Sequence, residues 1–105
     1  MSWNIDYSTE AKEDLKSIYE YIAFVLLEPS IASKQVKAIM DSINKLDEMP
    51  ERFRLYEHEP WRSKGLRQFS VGNYVVLYQP LESSNTVYIV RIMYGGRDIE
   101  AQLSE

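Results

Sequence analysis

The chain has 105 residues, no cysteine, one histidine and a net charge of −4, with 45% hydrophobic and 27% charged residues. That length supports one buried core, expected as a single domain over residues 1–105, and is too short for two. Without cysteine there are no disulfides, thiol nucleophiles or thiolate metal sites, and His58 alone cannot build a multi-histidine centre, so no metal and no cofactor is expected.

In chain order, "SWNIDYS" alternates Trp3, Ile5 and Tyr7 with polar neighbours, the period of a half-buried strand. Ser8 or Thr9 offers a cap oxygen, and from Ala11 the apolar positions Leu15, Ile18, Tyr19, Ile22, Val25 and Leu26 fall three and four apart, so a helix is predicted that Pro29 ends. Ser30 is the expected cap of a second helix, with a stripe of Ala32, Val36, Ile39, Met40, Ile43 and Leu46, closed by Pro50. The short break around "EPS" makes the pair an antiparallel hairpin.

"ERFRLYEHEPWRSKG" has no clear period and reads as loop, with a short strand expected near Phe53 to Tyr56. "LRQFSV" and "YVVLYQ" are strand-like, and Gly72-Asn73 between them marks a hairpin turn. "TVYIVRIMY" is apolar on both faces except for Arg91, as a central strand would be, and "RDIEAQL" after Gly95-Gly96 fits one or two helical turns. The predicted fold class is α+β, in the order β-α-α-β-β-β: a helical hairpin on one face of a small, mainly antiparallel sheet, with a short C-terminal helical tail. Its second face is left to solvent, loops or a partner, and because Val87, Ile89 and Met93 alternate there with Tyr88, Val90, Ile92 and Tyr94, an obligate or habitual protein partner, or a dimer, is expected to cover it.

No apolar run approaches the ~18 residues of a membrane span, and "MSWNIDYSTEAKED" lacks the basic start and apolar stretch of a signal peptide, so the expected location is cytoplasmic, with no membrane partner. Charge is divided along the chain. Residues 1–51 carry ten acids against five lysines, whereas residues 52–97 carry seven bases against three acids and contain every arginine. Arginine forks suit bidentate contact with phosphate or carboxylate, which marks the second half as the working half. Trp61, Arg62, Lys64 and Arg67 make a basic, aromatic loop fit for a phosphate or an acidic partner. Arg91, inside an apolar strand, needs a carboxylate or a ligand.

The hairpin ending at "LDEMP", the segment "GLRQFSVGNYVVLYQP" and the close "VYIVRIMYGGRDIEAQL" together resemble the RelE/ParE superfamily of toxins from bacterial type II toxin-antitoxin modules. The resemblance implies an addiction or plasmid-stabilisation module, a cognate antitoxin partner, and one of two targets. In the RelE-like arm the toxin is a metal-independent endoribonuclease that cuts messenger RNA on the ribosome. That chemistry needs a base for the 2′-hydroxyl, cations for phosphate charge and an acid for the leaving oxygen. Arg97 matches the arginine after the last strand, Lys64 and Arg67 lie near the expected lysines, and Tyr94 belongs to a possible acid/base set. Val75 stands where a second arginine belongs, Leu66 and Gln68 where lysines do, and Leu103 where a late tyrosine does. The ParE-like arm binds DNA gyrase and performs no chemistry, so the gaps favour it; Arg62, Arg91 and Trp61 are then the target-binding candidates. A third reading is a decayed homologue that binds antitoxin without being toxic.

Overall fold

The computed structural model describes residues 2–96 and 98–103. Strand β1 (Asn4–Tyr7) leads into helix α1 (Thr9–Glu20), which runs on as a π-helical turn over Tyr21–Val25. Helix α2 (Pro29–Asn44) returns and closes in a 3₁₀ turn, Lys45–Asp47. Strands β2 (Arg67–Val71), β3 (Tyr74–Leu81) and β4 (Thr86–Tyr94) follow, then the short helix α3 (Ile99–Leu103). The sheet order is β1-β4-β3-β2, so β4 is central as its composition predicts; β1 pairs with it in parallel and the other pairs are antiparallel. This is the predicted α+β class with its helical hairpin on one face.

Ser8 fixes where sheet becomes helix. Its Oγ accepts from the Ala11 amide at 2.9 Å, which caps α1, and donates to the Val90 carbonyl at 2.7 Å, which ties the cap to β4. On the hairpin, Ala11, Ile18, Ile22, Ala32, Ile39, Ile43 and Leu46 are buried against Val76, Tyr78, Val87, Ile89 and Ile92 of the sheet. Each such Ile or Leu contributes roughly 1.5–3 kcal/mol by leaving water. The Tyr78 hydroxyl donates to the Pro50 carbonyl at 2.6 Å, anchoring the end of the hairpin to the middle of β3.

The hairpin tip departs from the sequence reading. The π turn adds a residue to the helical repeat, so Val25 and Leu26, expected in the core stripe, are instead exposed, as are Phe24 and Leu27. Pro29 does not sit in the break but opens α2 as its first residue, where its fixed φ and missing N–H cost nothing; Glu28, not Ser30, is the capping position. Met40, also assigned to the stripe, is 40% exposed.

In the sheet, an extra residue at Val90 shifts the β3–β4 register between Leu77 and Tyr78. This bulge lets Ile89 and Ile92, three apart, both face the helices, while Leu77 and Met93 face the other side. Gly72 takes φ +59 in the two-residue β2–β3 turn, which only glycine does without strain. The expected strand at Phe53 to Tyr56 reduces to one bridge, Leu55 to Arg67, because the charged loop around it offers no second run to pair.

The second sheet face is not left open. Tyr56 and Leu66 from the loop join Leu77 and Met93 in a second apolar cluster, and Trp61, Val75, Val90, Ile99 and Leu103 pack on it. Of the strand residues expected to be uncovered there, Val87, Ile89 and Ile92 belong to the helix-side core, and Met93 is covered by loop and α3. His58 Nε2 lies 3.2 Å from Glu100 Oε1, joining that loop to α3.

Candidate functional site

Strand β1 ends at Tyr7 opposite Ile89, while β4 continues to Tyr94. Alongside this overhang, between it and the α1 hairpin, lies a groove of about 890 Å³. Ile18, Ile22, Leu26, Ile31 and Ile92 give it an apolar floor, and Asp14, Gln35, Asn73, Arg91 and Gln102 a polar rim. Three phenols, Tyr21, Tyr74 and Tyr94, also line it, and the last two meet edge to face at 5.9 Å. Burial, and then the neighbouring Tyr94 and Tyr21, push the Tyr74 phenol above its usual pKa, so it stays a neutral donor at physiological pH.

The groove's charged corner is the Arg91–Asp14 pair. Arg91 Nε and Nη2 donate to the two Asp14 carboxylate oxygens at 2.8 and 3.0 Å, and the Ile92 amide donates to Asp14 Oδ2 at 2.9 Å. Arg91 therefore finds the carboxylate its apolar strand demanded, on α1, while still facing the groove.

The candidate residues divide. Arg91 and Tyr94 line the groove; Trp61, Arg62, Lys64 and Arg67 do not. Arg67 Nη1 donates to the carbonyls of Phe53 at 2.7 Å and Glu51 at 3.3 Å, and Nη2 lies 3.6 Å from Glu51 Oε2, so its guanidinium fastens the loop to β2. Arg52 likewise caps the hairpin's end through the Lys45 and Glu48 carbonyls. Trp61 is half-buried, edge-on to Tyr56 at 5.8 Å, whereas Arg62 and Lys64 are exposed on the same loop. Within that loop Glu59 is held below the usual carboxylate range by the Ser63 hydroxyl and amide that donate to it. Arg97 lies outside the described residues. Val75 and Leu103, which the resemblance sets against nuclease positions of the RelE-like arm, pack in the second apolar cluster with buried Leu66. Among the described residues no group of three His, Asp or Glu side chains could hold a metal ion.

Sequence reasoning missed Asp14, Tyr21, Gln35 and Asn73. Asp14 carried a signal: it lies three after Ala11 and four before Ile18, an acid on the apolar stripe of α1.

Comparison with solved structures defines the class. The chain is similar to the chromosomal ParDE toxin-antitoxin system of P. aeruginosa, with TM-score 0.72 and 21% identity over 89% of this chain and 96% of that one. It is similar to the toxin-antitoxin complex RelBE2 of Mycobacterium tuberculosis (0.62, 21%, 90% and 99%). A mutant of the E. coli toxin RelE in the free state also matches (0.68, 11%, 97% and 93%). No curated protein matches in sequence. The fold is thus that of RelE/ParE toxins. Residues 5–99 match the family model described as ParE toxin of type II toxin-antitoxin system, parDE, and the chain belongs to that family. It is a toxin of a type II toxin-antitoxin system. Among the described residues no helix is long and apolar enough to cross a membrane.

Proposed function

We propose that this toxin arrests growth in the cytoplasm by binding a protein target, DNA gyrase, rather than by cutting messenger RNA, and that its cognate antitoxin seats in the groove beside β4. The observation that carries the first part is the second apolar cluster: Leu66, Val75 and Leu103 occupy nuclease positions and are committed to packing with Leu77 and Met93. A cation or an acid cannot be supplied from there, and a binding toxin needs neither. Arg62, Arg91 and Trp61 are then contacts to the target. The groove supports the second part, because its apolar floor and polar rim offer what a folding-upon-binding protein segment buries.

The test is inducible expression with protein and DNA synthesis labelled in separate pulses. Filamentation and loss of DNA synthesis with translation intact are expected. Early loss of translation with cut messages would refute the gyrase reading and reinstate the nuclease, and no growth effect at all would mark a decayed homologue. Groove occupancy is tested separately by co-purifying the toxin with the product of the small gene beside its own. Leu26→Asp, at a half-exposed position of the floor, should release that partner while leaving the fold intact.

A further inference from the structure

Of the nine large apolar side chains exposed among the described residues, six sit together at the tip of the helical hairpin: Tyr21, Phe24, Val25, Leu26, Leu27 and Ile31. The run from Tyr21 to Leu27 holds no charge, and Glu20 and Glu28 bracket it. Two local preferences are broken there. The π turn leaves Phe24 and Val25 facing water, and Leu27, the most exposed of the six, takes φ +59, a position that suits glycine or asparagine on both counts. Conflicts of this kind between residue type and local structure concentrate where a surface contacts something.

Exposures of this size leave roughly 700 Å² of largely apolar surface on the tip, more than the largest patch of a typical monomer. A standard interface takes about 800 Å² from each partner, so two such tips facing one another bury an area of that class. An occupant of the groove leaves half of the patch uncovered, because Tyr21, Leu26 and Ile31 line the groove whereas Phe24, Val25 and Leu27 do not. Elsewhere on the described chain nothing matches the tip. Met40 and Met49 lie along and beyond α2, Tyr94 belongs to the groove, and the sheet's second face is covered by the loop and α3. The surface of matching size and character is therefore the same tip on another copy, and a patch that pairs with itself closes a two-fold dimer instead of growing a filament.

We propose that the hairpin tip is a self-association surface: two copies of this toxin pair tip to tip about a two-fold axis, with Phe24, Val25 and Leu27 at the centre of the contact. An aromatic ring among uncharged aliphatic side chains is the composition of an interface core. The exposed Glu20, Glu28 and Lys34 at its margin carry both signs, so an acid of one copy can meet a lysine of the other. Because Tyr21, Leu26 and Ile31 serve both surfaces, a dimer takes up part of the groove's wall, and groove occupancy competes with dimerisation. Unliganded toxin is then held as a dimer that antitoxin takes apart. This competition, unlike the dimer itself, rests on reading the groove as the antitoxin's seat.

Sedimentation velocity of the purified full chain should show a concentration-dependent dimer, half dissociated in the micromolar range or below, as interfaces of this area are. Phe24→Asp sets a charge at the centre of the contact and should weaken it about a hundredfold, with the far-ultraviolet circular dichroism of the chain unchanged. A second readout stands even if that variant does not fold. The chain has no cysteine, so Leu27→Cys treated with a short bis-maleimide should trap a covalent dimer, while Met49→Cys, 73% exposed beyond the far end of α2, should not. A toxin that stays monomeric to about 100 μM, or a dimer that yields no Leu27→Cys cross-link, overturns the proposal. If the toxin is monomeric and antitoxin shields Leu27→Cys from maleimide, the patch is assigned to the antitoxin instead. The full-length antitoxin encoded beside the toxin should suppress the cross-link. If it binds and the cross-link persists, the groove reading fails and the tip dimer stands.

Discussion

Removing Asp14 should cost more stability than any other single change on the surface of α1. Its carboxylate accepts two guanidinium bonds and one backbone amide, at 2.8, 3.0 and 2.9 Å. The side chains of Arg91 and Asp14 are only 20% and 14% exposed, so neither is well served by water when the other goes. Breaking a buried pair costs about 3–5 kcal/mol. Partial exposure and the further interactions of Arg91 place this one at the low end, so Asp14→Ala is expected to lose about 3 kcal/mol. Asp14→Asn keeps an acceptor for the Ile92 amide but not the charge, and should lose about half as much. The assay is urea unfolding of the two single alanine variants and the Asp14→Ala/Arg91→Ala double variant, read as a shift in midpoint at constant slope. A coupling energy of about 1.5 kcal/mol is expected from the cycle. Additivity within ~0.3 kcal/mol, or a loss under ~0.5 kcal/mol for Asp14→Ala, would refute the view that this pair joins α1 to β4.

Ser8→Ala removes a helix cap and the donor to the Val90 carbonyl together, and should lower unfolding stability by about 2 kcal/mol in the same urea assay. Burial pushes the Tyr78 phenol up to about 12, so the folded chain keeps a proton that the unfolded chain releases near pH 10. That contribution is complete below pH 10 and is lost as pH rises toward 12; Tyr78→Phe should flatten this alkaline limb of a stability–pH profile while costing about 1 kcal/mol at pH 7. Leu27 has φ 59 and is 76% exposed, so Leu27→Gly should raise the unfolding midpoint, by about 0.5 kcal/mol, and a loss would show that the leucine side chain stabilises the turn.

Periodicity was a sufficient guide wherever a side chain's depth followed its spacing. The α2 positions Ala32, Ile39 and Ile43, and Leu46 in the turn that closes the helix, are all fully buried, and the apolar run of β4 is central in the sheet. It failed at Val25 and Leu26, because one π turn re-phases the stripe and no residue type announces such a turn. Cover over the second sheet face was equally hidden: Tyr56, Trp61, Ile99 and Leu103 come from aperiodic segments, whose apolar residues carry no pattern to read. The groove was half legible. Arg91 and Asp14 are each anomalous in an apolar stripe, and the two anomalies answer one another, but pairing them requires the α1–β4 contact. Tyr21, Gln35 and Asn73 meet only because the hairpin folds back over the overhang.

The division of charge along the chain has a different meaning once the arginines are followed to their partners. Arg52 and Arg67 hold backbone carbonyls of the hairpin's end and the loop, and Arg91 holds Asp14. Those three thus act as internal mortar for the acidic half, while Arg62 and Lys64 stay exposed on the loop. The toxin's groove carries two charged residues among those described, Arg91 and Asp14, and they already neutralise one another. Its capture by a partner should therefore change only slightly between low and physiological salt, with a rate set by shape and apolar contact more than by electrostatic steering.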